Sequence, residues 1–163
     1  MRNKNLKDLS DVNPELGKKI VSIGEEGNRF ARNKDYTAAI GNYKKAWELL
    51  PEPKLEWEPD SMWLSSSFYD AYLALKDYKK AEFWAQNRLK AVSSDIDTGP
   101  YTDLGVVNYE LGQYDKAYEY FDIAYQGGQT RAFKERPKKY LNFYLKEAKN
   151  KRILTRDFIN KEH

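Results

Sequence analysis

Carboxylates are the side chains that this sequence offers most freely for chemistry. Glu25 and Glu26 are adjacent, and Glu48, Glu52, Glu56, Glu58 and Asp60 gather around one proline-rich stretch. Two acids can run general acid–base catalysis when their surroundings hold their proton affinities apart. Acids crowded into a polar stretch more simply make a solvated surface, and that reading is the one favoured here. The single histidine is His163, the last residue, which leaves a histidine triad or metal cluster no ordered place to form. The absence of cysteine removes thiolate ligands, thiol nucleophiles and disulfides. Gly127-Gly128 follows a helical pattern and does not open one after a strand, so it is not a phosphate loop. The expectation is a protein that is not an enzyme, with no catalytic residues, no metal and no cofactor.

Nucleic acid is the next chemistry to weigh. Residues 130–163 carry 11 Lys/Arg against 4 Asp/Glu, whereas residues 1–129 carry 17 against 21. Within the basic stretch Lys138, Lys139, Lys146 and Arg152 alternate with Tyr140, Phe143 and Tyr144, a mixture able to neutralise phosphates and stack on bases. Those aromatics also stand at helical spacing, so covering a core is the preferred role for them. Nucleic-acid binding is not expected. With 33% charged residues and a mean hydropathy of −0.89, no run reaches the roughly 18 apolar residues of a membrane span. The N-terminal residues have no apolar stretch of the secretory type. A cytoplasmic location, no membrane contact, and a monomer or weak homodimer are expected.

The elements that must position any functional side chain are helices. Asn13-Pro14-Glu15 reads as cap, first turn and acid, opening a helix over 14–32. Further helices are predicted over about 36–50, 61–75, 78–92, 100–111 and 114–125. Asp60 or Ser61 caps the third, Ser93 to Gly99 makes a polar turn, and Gly127-Gly128 ends the sixth. Three prolines in PEPKLEWEPD keep residues 51–60 out of a continuous helix. A last amphipathic helix, with Pro137 in its first turn, presents Tyr140, Leu141, Tyr144 and Leu145 on one side. Residues 1–12 are expected to be a flexible terminus and residues 151–163 to fray.

A phrase recurs along this helical chain: Asp35-Tyr36-x-x-Ala39, Asp77-Tyr78-x-x-Ala81 and Gln113-Tyr114-x-x-Ala117, its alanines 42 and then 36 residues apart. The third unit adds Tyr101-x-x-Leu104-Gly105, Gly112, Phe121 and Ala124. The first adds Gly27, Phe30, Tyr43, Ala46 and Pro51. The second keeps Tyr72 but places Tyr69, Ala85 and Arg88 where a small residue, an aromatic and an alanine belong. This pattern resembles the tetratricopeptide repeat, a unit of about 34 residues. The resemblance implies an all-α fold of three helix–turn–helix repeats (about 13–53, 60–95 and 98–131), stacked as a short right-handed superhelix. Residues 132–163 would then be a capping helix and basic tail.

In proteins of this family the first helix of each pair lines a concave groove. Carried over by registration, the groove positions are Asn28 and Arg32, then Trp63, Ser66, Asp70 and Leu73, then Val106, Tyr109 and Glu110. Trp57, in the proline-rich loop, either staples that loop or projects to a partner. Asn28 matches an asparagine that some members use to grip a C-terminal carboxylate. Gly24 and Asp70 replace the basic residues of that clamp, so it is not expected. The chain is also similar to small stand-alone bacterial repeat proteins encoded beside secreted toxins. That likeness implies an immunity protein that binds and neutralises a cognate toxin domain. The alternative is a chaperone or assembly adaptor holding a client polypeptide, as chaperones of type III secretion translocators do.

Overall fold

The computed structural model describes residues 6–91 and 97–161, with side chains as far as Leu154. In chain order these residues form α1 (Leu9–Val12), α2 (Pro14–Arg32), α3 (Tyr36–Leu49), α4 (Asp60–Ala74), α5 (Tyr78–Ala91), α6 (Gly99–Glu110), α7 (Tyr114–Gly128) and α8 (Lys138–Lys161). Short 3-10 turns occupy Lys54–Glu56 and Gln129–Phe133, and no strand occurs among the described residues. Val92 and most of the turn expected over Ser93–Gly99 lie outside the described residues, as does His163. Helices α2 and α3, α4 and α5, and α6 and α7 pack as consecutive pairs, and α3 on α4 and α5 on α6 stack the pairs in order.

The three pairs turn in the same way. Lys34, Lys76 and Gly112 each adopt the left-handed backbone conformation, with φ of 60°, 59° and 73°. Behind them, the amides of Asp35, Asp77 and Gln113 reach back to the carbonyls of Phe30, Tyr72 and Asn108 at 3.0, 2.9 and 2.8 Å. The amides of Lys34, Lys76 and Gly112 bond the carbonyls of Ala31, Leu73 and Tyr109. This paired pattern satisfies carbonyls that a helix end would otherwise leave bare. The recurrent Asp then serves the following helix: Asp35 accepts from the Ala38 amide at 3.1 Å and Asp77 from the Lys80 amide at 3.3 Å.

Within the outer pairs a glycine lies beneath an aromatic ring. A Cβ on Gly27 would stand 2.6 Å from Tyr43 Cε1, and one on Gly105 would overlap the ring of Phe121. The positions are sixteen residues apart in both pairs. In the middle pair the same two positions are Tyr69 and Ala85, both buried, so the large residue has moved to the first helix and the small one to the second. Exchanging volumes conserves the space between helices. The unit that looks degenerate in sequence is an inverted one.

Several local expectations change. Residues 7–12 are docked on the body: Leu9 is 1% exposed, and the Lys7 amide donates to the Glu56 carbonyl at 2.7 Å. Burying one leucine is reason enough for that order. Asp60 lies inside the first turn of α4 and makes no capping bond, as Pro59 is the cap residue. Helix α7 runs through Gly127 and Gly128, and Gln129 (φ 51°) makes the left-handed exit. Pro137 precedes α8, which continues to Lys161, beyond the point where fraying was expected. The first half of α8 does form a lid: Tyr140, Tyr144 and Ala148 are buried with Val106, Ala117, Phe121, Ala124 and Phe133.

Gly105→Ala should lower stability by about 1–3 kcal/mol through overpacking against Phe121. Phe121→Ala should lower it by about 3–5 kcal/mol. The double variant should lose less than the two combined, because the second change makes room for the first. Urea denaturation of all three measures the coupling; strictly additive losses would mean the two side chains do not share that space.

Candidate functional site

Two cavities open along the first helices of the pairs. One, about 330 Å³, lies between α2 and α4 and is lined by Asn28, Arg32, Tyr43, Ser67 and Asp70. The other, about 350 Å³, lies between α4, α6 and the segment leading into α8, with Tyr69, Asp70, Leu73, Asp103, Val106 and Arg136 among its walls. Asp70 belongs to both, so the two concavities meet at its carboxylate. Asn28, Arg32, Asp70, Leu73 and Val106, assigned to a groove from repeat registration, are therefore brought together.

The other assigned residues serve packing. Trp57 is 8% exposed, and its indole Nε1 donates to the Pro51 carbonyl at 2.9 Å. It staples the loop and is not a free anchor, because an indole buries much apolar area once its N–H is satisfied. Lys54 completes that loop by donating to the carbonyls of Trp47 and Leu50 at 3.0 and 2.6 Å, at the end of α3. Trp63 is half-buried against Gly24 of α2, where any Cβ would strike its ring. Tyr109 lies under the lid, with ring centroids 5.3, 5.4 and 5.2 Å from Tyr114, Tyr140 and Phe143. Glu110 pairs with Lys139 and accepts from the Tyr140 hydroxyl at 2.7 Å. Burial pushes Glu110 up, but these hydrogen bonds outweigh it and hold the carboxyl below its usual range. Ser66 donates to the Met62 carbonyl within its own helix at 3.0 Å.

Beneath the second cavity is a charge cluster that repeat registration did not supply. Asp103, on α6, has a side chain 3% exposed and is held by Arg88 of α5 and Arg136 of the segment before α8. Tyr69 Oη, 3.4 Å from the Asp103 carbonyl, closes the same corner. Arg88 was visible in the sequence as the residue replacing a repeat alanine; its partner Asp103, 15 residues onward, and the second arginine on that carboxylate, Arg136, were not. One carboxylate thus ties the second pair, the third pair and the lid.

Asp70 stands differently. It is open to solvent yet walled by protein on both sides, and it takes no hydrogen bond or ion pair within the described residues. Desolvation by the groove walls, and then the nearby Asp103 carboxylate, push its pKa up to about 6, against the opposing pull of Arg88 and Arg136. The groove therefore offers an acid short of positive charge. Among the described residues no three His, Cys, Asp or Glu side chains converge to hold a metal ion, and no helix is long and apolar enough to cross a membrane.

The chain matches no protein-family model, and no curated protein is similar to it in sequence.

Asp103→Asn should cost about 3 kcal/mol, since it strands two arginines in a half-buried corner. Amide hydrogen exchange should also quicken across the first turns of α8; unchanged exchange there would separate the cluster from the lid. Asp70→Asn should act oppositely. A raised folded-state pKa means that stability from this carboxyl is present below about pH 4 and lost as pH rises through about 6. The variant should accordingly melt higher than the parent at about pH 7.5 and equally with it near pH 4. A benefit of equal size at both values would contradict this assignment.

Proposed function

We propose that this chain is a non-enzymatic protein-binding module of the tetratricopeptide-repeat kind, which seats a partner polypeptide along the groove of α2, α4 and α6. One observation carries the reading: residues from three successive helix pairs converge on two adjoining cavities that share Asp70, a carboxylate with no ion pair among the described residues. An acid without one is suited to meet its counter-charge on another molecule, and such a pair gives an interface orientation as well as affinity.

The role we favour is neutralisation of a secreted toxin domain by a bacterial immunity protein, on the strength of the sequence resemblance. In that reading the groove and its rim cover a folded face of the toxin. The second reading, a chaperone or adaptor for an extended client segment, draws support from the two cavities themselves. Each has room for only a few side chains, as along an extended chain.

The product of the neighbouring gene is the partner to try. The immunity reading expects a measurable complex, rescue of cells expressing the toxin, and at least a tenfold loss of affinity in Asp70→Lys and Arg32→Glu (about 1.4 kcal/mol per tenfold). Phe83→Ala, on the exposed side of α5, should bind as the parent does. A short fragment of the partner binding as tightly as the whole would select the adaptor reading. Full affinity in both groove variants would remove the groove from the interface.

A further inference from the structure

A separate pocket shares no lining residue with the two groove cavities. Helices α1 and α2 and the start of α4 line this open pocket of about 460 Å³, a volume within the range of small-ligand sites. Pro14, Gly17, Val21 and Pro59 give it largely apolar walls. Two acids, Asp8 and Asp60, also line it.

Their situations differ. Asp8 accepts from the amide and hydroxyl of Ser10 at 2.9 and 2.6 Å, and these bonds hold its carboxyl below the usual range. Asp60 is only 8% exposed and takes no hydrogen bond or ion pair within the described residues. Desolvation, and then the charge on Asp8, raise its pKa. Lys18 lines the pocket, yet it pairs with neither acid. The Asp60 residue is largely buried, but its carboxylate opens into the pocket beside a second acid and is paired with no cation, so a ligand cation there would meet its counter-charge.

We infer that this pocket is a binding site for a primary alkylammonium group, with the cation between the Asp60 and Asp8 carboxylates and the alkyl stem along Pro14, Val21 and Pro59. The chemistry selects this class. An ammonium has three donors, which the two carboxylates and the Ser22 hydroxyl can meet, whereas a guanidinium brings five. A divalent metal wants six or more oxygens, and among the described residues no third acid joins the pair. The apolar walls suit an unbranched hydrocarbon stem, as carried by a free alkyl amine or by a lysine side chain. The site stands on its own residues and does not rest on the groove function proposed above.

The probe is n-butylammonium chloride, titrated into the full chain while amide shifts of Gly17, Val21 and Ser22 are followed by NMR. Saturable shifts at about millimolar concentrations are expected, with n-butanol at least tenfold weaker. Asp60→Asn, nearly isosteric and neutral, should fold and should bind n-butylammonium at least tenfold more weakly, while Phe83→Ala binds as the parent does. N-acetyl-lysine methylamide distinguishes the sources: binding tighter than n-butylammonium assigns the pocket to a protein-borne lysine, and weaker binding to a free amine. Equal binding of n-butanol and n-butylammonium, unchanged affinity in Asp60→Asn, or no localised shifts would each overturn the proposal. The comparison of the two probes on the parent chain stands even if a variant proves unstable.

Discussion

Close approach of two helices within each pair is the constraint on which the rest of this molecule depends. Gly27 beneath Tyr43 and Gly105 beneath Phe121 allow it in the outer pairs, since neither position has room for a Cβ. Packing at this density makes interiors intolerant of added volume. Once the pairs are closed, their left-handed turns and capping aspartates place each new helix in the same relation to the last. The stacking that follows brings the first helices side by side and so creates the groove. Asp70 comes to line one cavity with Arg32 and the next with Arg136 through this stacking, and not through anything local.

Inversion of the middle pair links packing to the site. With Tyr69 on the first helix and Ala85 on the second, an aromatic ring and its hydroxyl reach the corner where Asp103 sits. On the outer side of the same pair, Phe68 stacks on Trp84 with ring centroids 3.8 Å apart and makes the contact with the first pair. Arg88 departs from the repeat pattern for a physical reason of the same kind, because it and Arg136 each engage one oxygen of the buried Asp103 carboxylate. The departures that weaken the repeat as a sequence are thus the residues that bind the second pair to the third and to the lid.

Two acids that lack partners stand apart from this economy. Asp103, Glu110 and Asp8 are satisfied by arginines, by a lysine and tyrosine, and by a serine. Asp60 and Asp70 are not, and both have raised proton affinity from desolvation first. Each lines a cavity with no cation paired to it, so each is a place where another molecule can supply the counter-charge. The cavities they line share no residue, so the proposed polypeptide groove and the proposed cation pocket are separate sites.

Helix positions, pair boundaries and the presence of a lid were legible in the sequence, because they rest on local signals: Asn13-Pro14 at a start, the recurring Asp-Tyr-x-x-Ala phrase, and the 3.6-residue spacing of Tyr140, Leu141 and Tyr144. Five of the groove residues were legible too, since registration within a repeat is itself a local count. Tyr109 and Glu110 carried the same registration label yet pack under the lid, and Trp57 carried none; whether an aromatic ring or an acid faces solvent depends on what packs over it. Only the tertiary structure could decide that Trp57 closes a loop, that Glu110 fastens Tyr140, and that Arg88, Asp103 and Arg136 share one corner. All but the Trp57 contact join residues far apart in the chain. The physical reason is that sequence periodicity encodes which face of a helix is buried, while the partner on that face is chosen by the stacking of whole helix pairs.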